Sequence, residues 1–212
     1  MKRILLLLSL LISYQIFSQV KKPEIGLKIG LNVSQFSPDI ELSTFTFDPI
    51  DFRGKVGYYF GVFINGKISD RFSYQPELVF ANQGTNRSFL TGFGSDEIAP
   101  AESSIRDLTL SVPIFIQYSL TNRFFIEGAP RFSYVVNRVD IVRESFFNNE
   151  GDRIELSEFL PDFDRFDLGF TIGIGFNLAK KILINLRYSL SILERDDLYR
   201  SSVVDFGLNF KL

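Results

Sequence analysis

Cysteine, histidine and tryptophan are absent from this chain, and methionine occurs once. Without cysteine there is no disulfide framework, no thiolate metal site and no thiol nucleophile. Without histidine the commonest general base and the commonest transition-metal ligand are missing, and most hydrolase triads cannot be assembled. A formal net charge of −2 leaves no basic field for nucleic acid, so no nucleic-acid partner is expected. After the N-terminus no segment approaches the run of about 20 apolar residues that a membrane-spanning helix needs. The 212 residues are instead rich in phenylalanine, with 24, and glycine, with 15. That length predicts one domain, which an all-β barrel can occupy completely.

The first residues, MKRILLLLSLLISYQIFSQ, have the layout of an export signal. Lys2 and Arg3 form a positive region, Ile4 to Ile12 an apolar run, and Ser13, Gln15 and Ser18 a polar end. The pattern predicts a signal peptide over residues 1–18, cut after Ser18, although Ile16 stands where a small residue is preferred. No cysteine follows, which excludes a lipoprotein anchor. Residues 19–212 are then the barrel domain.

The mature chain alternates with a period of two. Ile25, Leu27, Ile29, Leu31 and Val33 oppose Gly26, Lys28, Gly30, Asn32 and Ser34. The same alternation recurs around Tyr58–Asn65, Tyr74–Ala81, Leu108–Tyr118, Phe124–Tyr134, Phe166–Asn177, Ile182–Ile192 and Val204–Leu212. These segments predict eight strands, each near the ten residues of a tilted membrane-crossing strand, and single-chain bacterial barrels have even strand numbers. The apolar phase covers about forty positions without one charge, an absence with a chance probability of roughly 10⁻⁵.

Connections alternate too. Ser69–Asp70–Arg71, Thr121–Asn122–Arg123 and Ala179–Lys180–Lys181 read as short turns. Ser37–Lys55, Gly84–Ile105, Asn137–Arg165 and Leu193–Ser201 read as longer polar connections. Short periplasmic turns, long extracellular loops and both termini in the periplasm are the outer-membrane arrangement. A soluble lipocalin-like barrel would alternate as well, with its apolar phase inward. The polar phase here is crowded with Gly, Ser and Asn, which suits a narrow lumen. The apolar phase carries more Phe, Tyr, Leu and Ile than eight strands could enclose. The expected fold is therefore an all-β, eight-stranded antiparallel transmembrane barrel in the cell outer membrane, with outer-membrane lipid around it.

Six motifs in order resemble the outer-membrane β-barrel domain family of Bacteroidota, of the porin-family or PorT-like kind. The opening IGLKIGLNVSQF looks like that family's first strand. Tyr74–Gln75–Pro76–Glu77–Leu78 is similar to its Leu-Gln-Pro-Glu-Leu strand, and Ser111–Val112–Pro113 to its Ile-Pro step. Glu127–Gly128–Ala129–Pro130 is close to its Gly-Pro motif, with Ala between the two. Asp167–Leu168–Gly169 through Gly173–Ile174–Gly175, and Leu186–Arg187–Tyr188–Ser189, complete the set. The resemblance implies an eight-stranded outer-membrane barrel. Some PorT-like proteins are linked to secretion and gliding machinery, a link these motifs do not transfer.

Lys28, Lys67, Glu77, Glu127, Arg131, Asp167, Arg187, Asp205 and Lys211 all fall on the lumen phase. Eight strands enclose a space that side chains fill, and charges buried there must pair. A structural salt-bridge network that plugs the lumen is the expectation; a gated ion path or a catalytic carboxylate pair is the sharper alternative. Pro76, Pro113 and Pro130 each remove a ladder hydrogen bond, so bulges or strand ends are expected at them. Gly169, Gly173 and Gly175 are not a nucleotide fingerprint, because Leu178 replaces the third glycine and no helix pattern follows. They read as small lumen residues.

In the Asn137–Arg165 connection, Phe146, Phe147, Phe159 and Phe163 stand among acids, and the first connection adds Phe45, Phe47 and Phe52. Self-packing or placement at the lipid interface is the plain reading. A contact surface for an extracellular or envelope protein is the functional one. Acid pairs such as Asp96–Glu97 have no ligand spacing for a cation, and no cofactor or metal is expected. The function these features support is a non-enzymatic membrane anchor or interaction barrel. A narrow porin-like pore and an accessory part of a secretion machinery are the alternatives. A lipid-active enzyme built on Ser111 or Ser189 would lack a base.

Overall fold

The computed structural model describes residues 22–38, 51–92, 98–144, 165–193 and 199–212. The signal-peptide segment, Phe45, Phe47, Phe146, Phe147, Phe159 and Phe163 lie outside the described residues.

Eight strands follow one another around a closed antiparallel barrel. They are β1 (Glu24–Pro38), β2 (Asp51–Lys67), β3 (Phe72–Gly92), β4 (Ile98–Ser119), β5 (Phe124–Glu144), β6 (Phe166–Ala179), β7 (Ile182–Ser191) and β8 (Tyr199–Lys211). β1 pairs with β2 on one side and with β8 on the other, from Gly26↔Lys211 to Pro38↔Tyr199, so the sheet has no edge. Hydrocarbon offers no partner to a backbone N–H or C=O, and a closed ring is the one strand arrangement that satisfies them all.

The period of two sets which side chains face out. Ile25, Leu27, Ile29, Leu31 and Val33 are exposed on β1, while Lys28, Asn32 and Ser34 between them are buried. On β6, Phe170, Ile172 and Ile174 face outward and Thr171 inward. The exposed rows form an apolar belt around the barrel, the inverse of a soluble core. Tyr59, Phe63, Phe115 and Phe125 point into the lumen. Glycines on neighbouring strands make their room. A Cβ at Gly26 would fall inside the Phe63 ring, and one at Gly175 inside the Phe125 ring. The Gly-x-Gly of β6 is thus space for side chains from the next strands.

At the end that carries the short turns, two connections share one device. Ser69 Oγ accepts from the backbone N–H of Phe72 at 3.1 Å, and Thr121 Oγ1 accepts from that of Phe124 at 2.9 Å. Each hydroxyl substitutes for the missing ladder partner in a tight turn. Phe72 against Tyr118 and Phe124 against Phe176, with ring centroids 5.0 and 5.2 Å apart, place aromatic pairs at this rim.

Two expectations need correction. The segment Gly84–Ile105 is mostly strand: β3 and β4 stay paired from Gly84↔Arg106 out to Gly92↔Ile98. β2 begins at Asp51, before Phe52, and β5 runs on to Glu144. β3, β4 and β5 have 21, 22 and 21 residues, about twice a membrane crossing of 9–11. Beyond the lipid neither face of a strand is apolar, so the hydropathy pattern fades while the backbone ladder continues. The prolines sit neither at bulges nor at strand ends. Pairing of β3 with β4 lapses between Pro76↔Ile114 and Val79↔Ser111, and that of β4 with β5 between Pro113↔Arg131 and Ile116↔Gly128. The register is unchanged on either side. Pro76 and Pro113 stand beside the first gap, Pro113 and Pro130 beside the second, so the missing donors fall along one seam across three strands.

Ile172 lies on the apolar belt, 54% exposed, between Gly128 and Tyr188. Replacing it by arginine is expected to lower the free energy of unfolding from lipid vesicles by about 2–4 kcal/mol. Ile172→Leu is expected to leave it unchanged, as measured by urea titration in vesicles. Equal stability of Ile172→Arg and wild type would contradict the outward placement.

Candidate functional site

The lumen is organised around Arg187 of β7. Its guanidinium donates to both oxygens of Glu77, at 2.9 and 2.9 Å. Its Nε donates to Glu127 Oε1 at 2.7 Å and its second terminal nitrogen to Oε2 at 3.1 Å. Lys28 Nζ completes the cluster, 2.6 Å from Glu77 Oε2. Four strands thus contribute two cations and two anions, none more than 5% exposed. Arg187 lies over the Phe115 ring, 3.8 Å from Cζ to the ring centroid. Gly173 makes this possible, since a Cβ there would stand 2.8 Å from Arg187 Cγ. A buried charge without partners is strongly unfavourable; here the planar fork meets two carboxylates with matched geometry.

Toward the short turns an amide layer seals the cluster. Gln75 donates to Glu77 at 2.7 Å and Gln117 to Glu127 at 3.0 Å. Asn65 Nδ2 donates to the side-chain oxygens of both glutamines, at 2.9 Å each. Toward the long connections, Arg131 reaches Asp167 at 3.4 Å, and Ser191 Oγ donates to Asp167. Farther out, Arg138 forms a bidentate pair with Asp107, both contacts 2.6 Å. Ser111 with Ser133 and Thr171 with Ser189 bond to each other at 2.9 and 2.8 Å.

Between the Arg187 cluster and Arg131 lies a cavity of about 30 Å³, walled by Tyr59, Ser111, Arg131 and Asp205 among others. Asp205 has no hydrogen bond or ion pair among the described residues, and Lys28, Arg131 and Arg187 stand around the same cavity. The Tyr59 hydroxyl and the Asn185 amide also lack direct partners. This space suits ordered water and excludes larger solutes.

Of the nine charges assigned to the lumen, Lys28, Glu77, Glu127 and Arg187 form one cluster, Arg131 and Asp167 a second contact, and Asp205 stands on the cavity wall. Lys67 and Lys211 share the phase but not the network. Lys67 is exposed at the mouth, and Lys211 pairs with Glu24 at 2.7 Å on the rim. They lie at the last turn of their strands, beyond the filled section of the lumen. The Asp107–Arg138 pair was not anticipated, because Arg138 belongs to a segment read as a connection. Gln75, Gln117 and Asn65 were also missed; their place on the polar phase beside the glutamates was the available signal.

A blind vestibule of about 690 Å³ opens at the short-turn end, with Asn65, Gln117 and Phe125 among its walls. At the opposite end, the paired extensions of β2, β3 and β4 enclose a space of about 240 Å³ lined by Arg53, Asn86, Arg87, Ser88, Glu102, Ser103 and Ser104.

A family model for the outer membrane protein beta-barrel domain matches residues 15–194. The chain belongs to this family. It is an outer-membrane protein, and the belt of Ile, Leu, Phe and Tyr is its lipid-facing surface. Among solved structures, the attachment invasion locus protein Ail of Yersinia pestis, crystallised with the heparin analogue sucrose octasulfate, is 13% identical, with a TM-score of 0.47 over 91% of this chain and 100% of that one. Neisserial surface protein A is 8% identical with a TM-score of 0.47, over 91% of this chain and 100% of that chain. OprG from Pseudomonas aeruginosa is 16% identical with a TM-score of 0.44, over 88% and 95%. No curated protein matches the sequence.

Arg187→Leu leaves two carboxylates buried with Lys28 as their one remaining cation in the cluster. It is expected to cost about 3–5 kcal/mol of unfolding free energy, against within about 0.5 kcal/mol for Lys67→Ala at the exposed mouth. Urea unfolding in vesicles, followed by heat-modifiable mobility, checks both. Similar losses for the two variants would contradict the network.

Proposed function

We propose that this outer-membrane barrel is a non-conducting, non-enzymatic anchor that carries an extended β-surface outside the membrane for contact with an extracellular or envelope protein. The plugged lumen is the observation that carries this reading. The Arg187 cluster, its amide layer and the inward rings occupy the section where a solute would pass, and a pore needs a wider ring or an empty one. The carboxylates that could act as an acid–base pair, Glu77 and Glu127, are both held on one guanidinium. β3, β4 and β5, about twice the length of a crossing, put binding potential on their paired extensions, because rigid strands present contact residues with little ordering cost. The six ordered motifs support a finer placement among the PorT-like proteins of Bacteroidota.

Purified protein in planar bilayers is expected to give no unitary conductance at any moderate voltage. Photo-crosslinkers at Arg87 and Ser104, on the outer extensions, are expected to capture a discrete partner in intact cells, whereas one at Ile172 captures lipid. Regular single-channel steps would overturn the anchor reading in favour of the pore. Equal crosslinking from all three positions would remove the outer surface as the contact.

A further inference from the structure

The turn between β2 and β3 separates its charges. Asp70 is a wall residue of the vestibule, whereas Arg71, next in the chain, is exposed and is not one of its walls. The Arg71 guanidinium lies on the outer side of the barrel, where Nη1 donates to the Tyr118 hydroxyl at 3.1 Å. Tyr118 follows Ile114 and Ile116 in the outward row of β4 and pairs with Phe72, the first residue of β3. The backbone around this arginine is fixed. Ser69 Oγ accepts from the N–H of Phe72, and the N–H of Ser119 donates to the Arg71 carbonyl at 2.8 Å. A guanidinium is therefore held beside the Phe72–Tyr118 ring pair, at the edge of the lipid-facing belt.

This arginine has capacity to spare. A guanidinium carries several N–H donors in a planar fork that matches phosphate oxygens. Among the described residues the Arg71 side chain makes one hydrogen bond, to a neutral hydroxyl, and no carboxylate pairs with it. The Tyr118 oxygen accepts that bond, which leaves its own O–H to donate. Ile68 and Phe72, at the two ends of the turn, are 58% and 45% exposed, so the cation stands next to apolar surface. Aromatic rings and long cationic side chains gather at the level of lipid headgroups, where one end of each is apolar and the other polar. The site is continuous with the belt that faces lipid, and its charge complements an anionic headgroup. The phosphate of a zwitterionic lipid is already opposed by the cation of its own headgroup. An arginine without a carboxylate partner thus favours a lipid of net negative charge.

We propose that Arg71 and the Tyr118 hydroxyl form a headgroup site for an anionic phospholipid in the leaflet at the short-turn end, the periplasmic one in the outer-membrane arrangement. The phosphodiester sits on the guanidinium and the acyl chains run along the Phe72 and Ile116 surface.

The chain has no tryptophan, so one placed in this turn is a unique local reporter. I68W barrels are reconstituted in mixed phosphatidylglycerol and phosphatidylcholine bilayers in which one lipid or the other is brominated. Quenching of the tryptophan then gives the relative affinity of the two lipids at that point. A preference of about fivefold for phosphatidylglycerol is expected. It is expected to disappear in I68W/R71Q and to fall in I68W/Y118F, which removes the hydroxyl. I68W/K67Q, which removes a cation at the vestibule, is expected to keep it, and so is I68W with inorganic phosphate added at matched ionic strength. Heat-modifiable mobility confirms that each variant is folded, and I68W/Y118F decides if I68W/R71Q does not fold. Equal quenching by the two lipids in I68W, or a preference that survives both R71Q and Y118F, would overturn the proposal. So would loss of the preference in I68W/K67Q, which assigns it to the net charge of this end, or its loss on adding phosphate, which assigns the site to a free anion.

Discussion

Closure of a sheet in a solvent that cannot hydrogen-bond is the constraint from which the rest of this molecule follows. In hydrocarbon each unsatisfied N–H or C=O costs several kcal/mol, so β1 must find β8. Once the ring closes with eight strands, its diameter is set, and with it the number of inward side chains. Those inward residues lie among other side chains, and the outward ones meet acyl chains. The uncharged outer phase and the charged inner phase are two consequences of one geometry. Charges that would be intolerable on the belt are accommodated inside, where Arg187, Lys28, Glu77 and Glu127 find opposite charges across the lumen.

The lumen shows how such a filling is specified. Charge alone would allow many pairings; shape selects among them. Arg187 lies over the Phe115 ring, and Gly173 leaves space for its stem. The amides of Gln75 and Gln117 occupy the lone pairs on Glu77 and Glu127 that Arg187 and Lys28 do not use. The result is a polar core with apolar surroundings, where the stability of each ion depends on the presence of the others.

Much of this was readable from the chain. Strand number, phase and the side facing lipid follow from alternation, because one face of every crossing must be apolar. Strand ends were not readable. From Asn86 to Ser88 and from Glu102 to Ser104 both faces carry polar side chains, so composition no longer alternates although pairing continues. The lumen charges could be named, but their pairing could not. Glu77 and Arg187 are 110 residues apart, and their meeting depends on barrel stagger, which no local pattern encodes. The same reason separates Lys67 from the network it shares a phase with: height along the axis, not phase, decides membership. Asp107 and Arg138 escaped notice because they pair just where the periodic signal fades.

The absence of cysteine makes the central orientation directly measurable. Single cysteines placed in turn at Val203, Val204, Asp205, Phe206, Gly207 and Leu208 of β8 can each carry a nitroxide in lipid bilayers. Collision with dissolved oxygen is then read by electron paramagnetic resonance. The account predicts a strict period of two, with high oxygen accessibility at 204, 206 and 208 and restricted, inaccessible labels at 203, 205 and 207. Accessibility that peaks at 203, 205 and 207, or that shows no alternation, would contradict it.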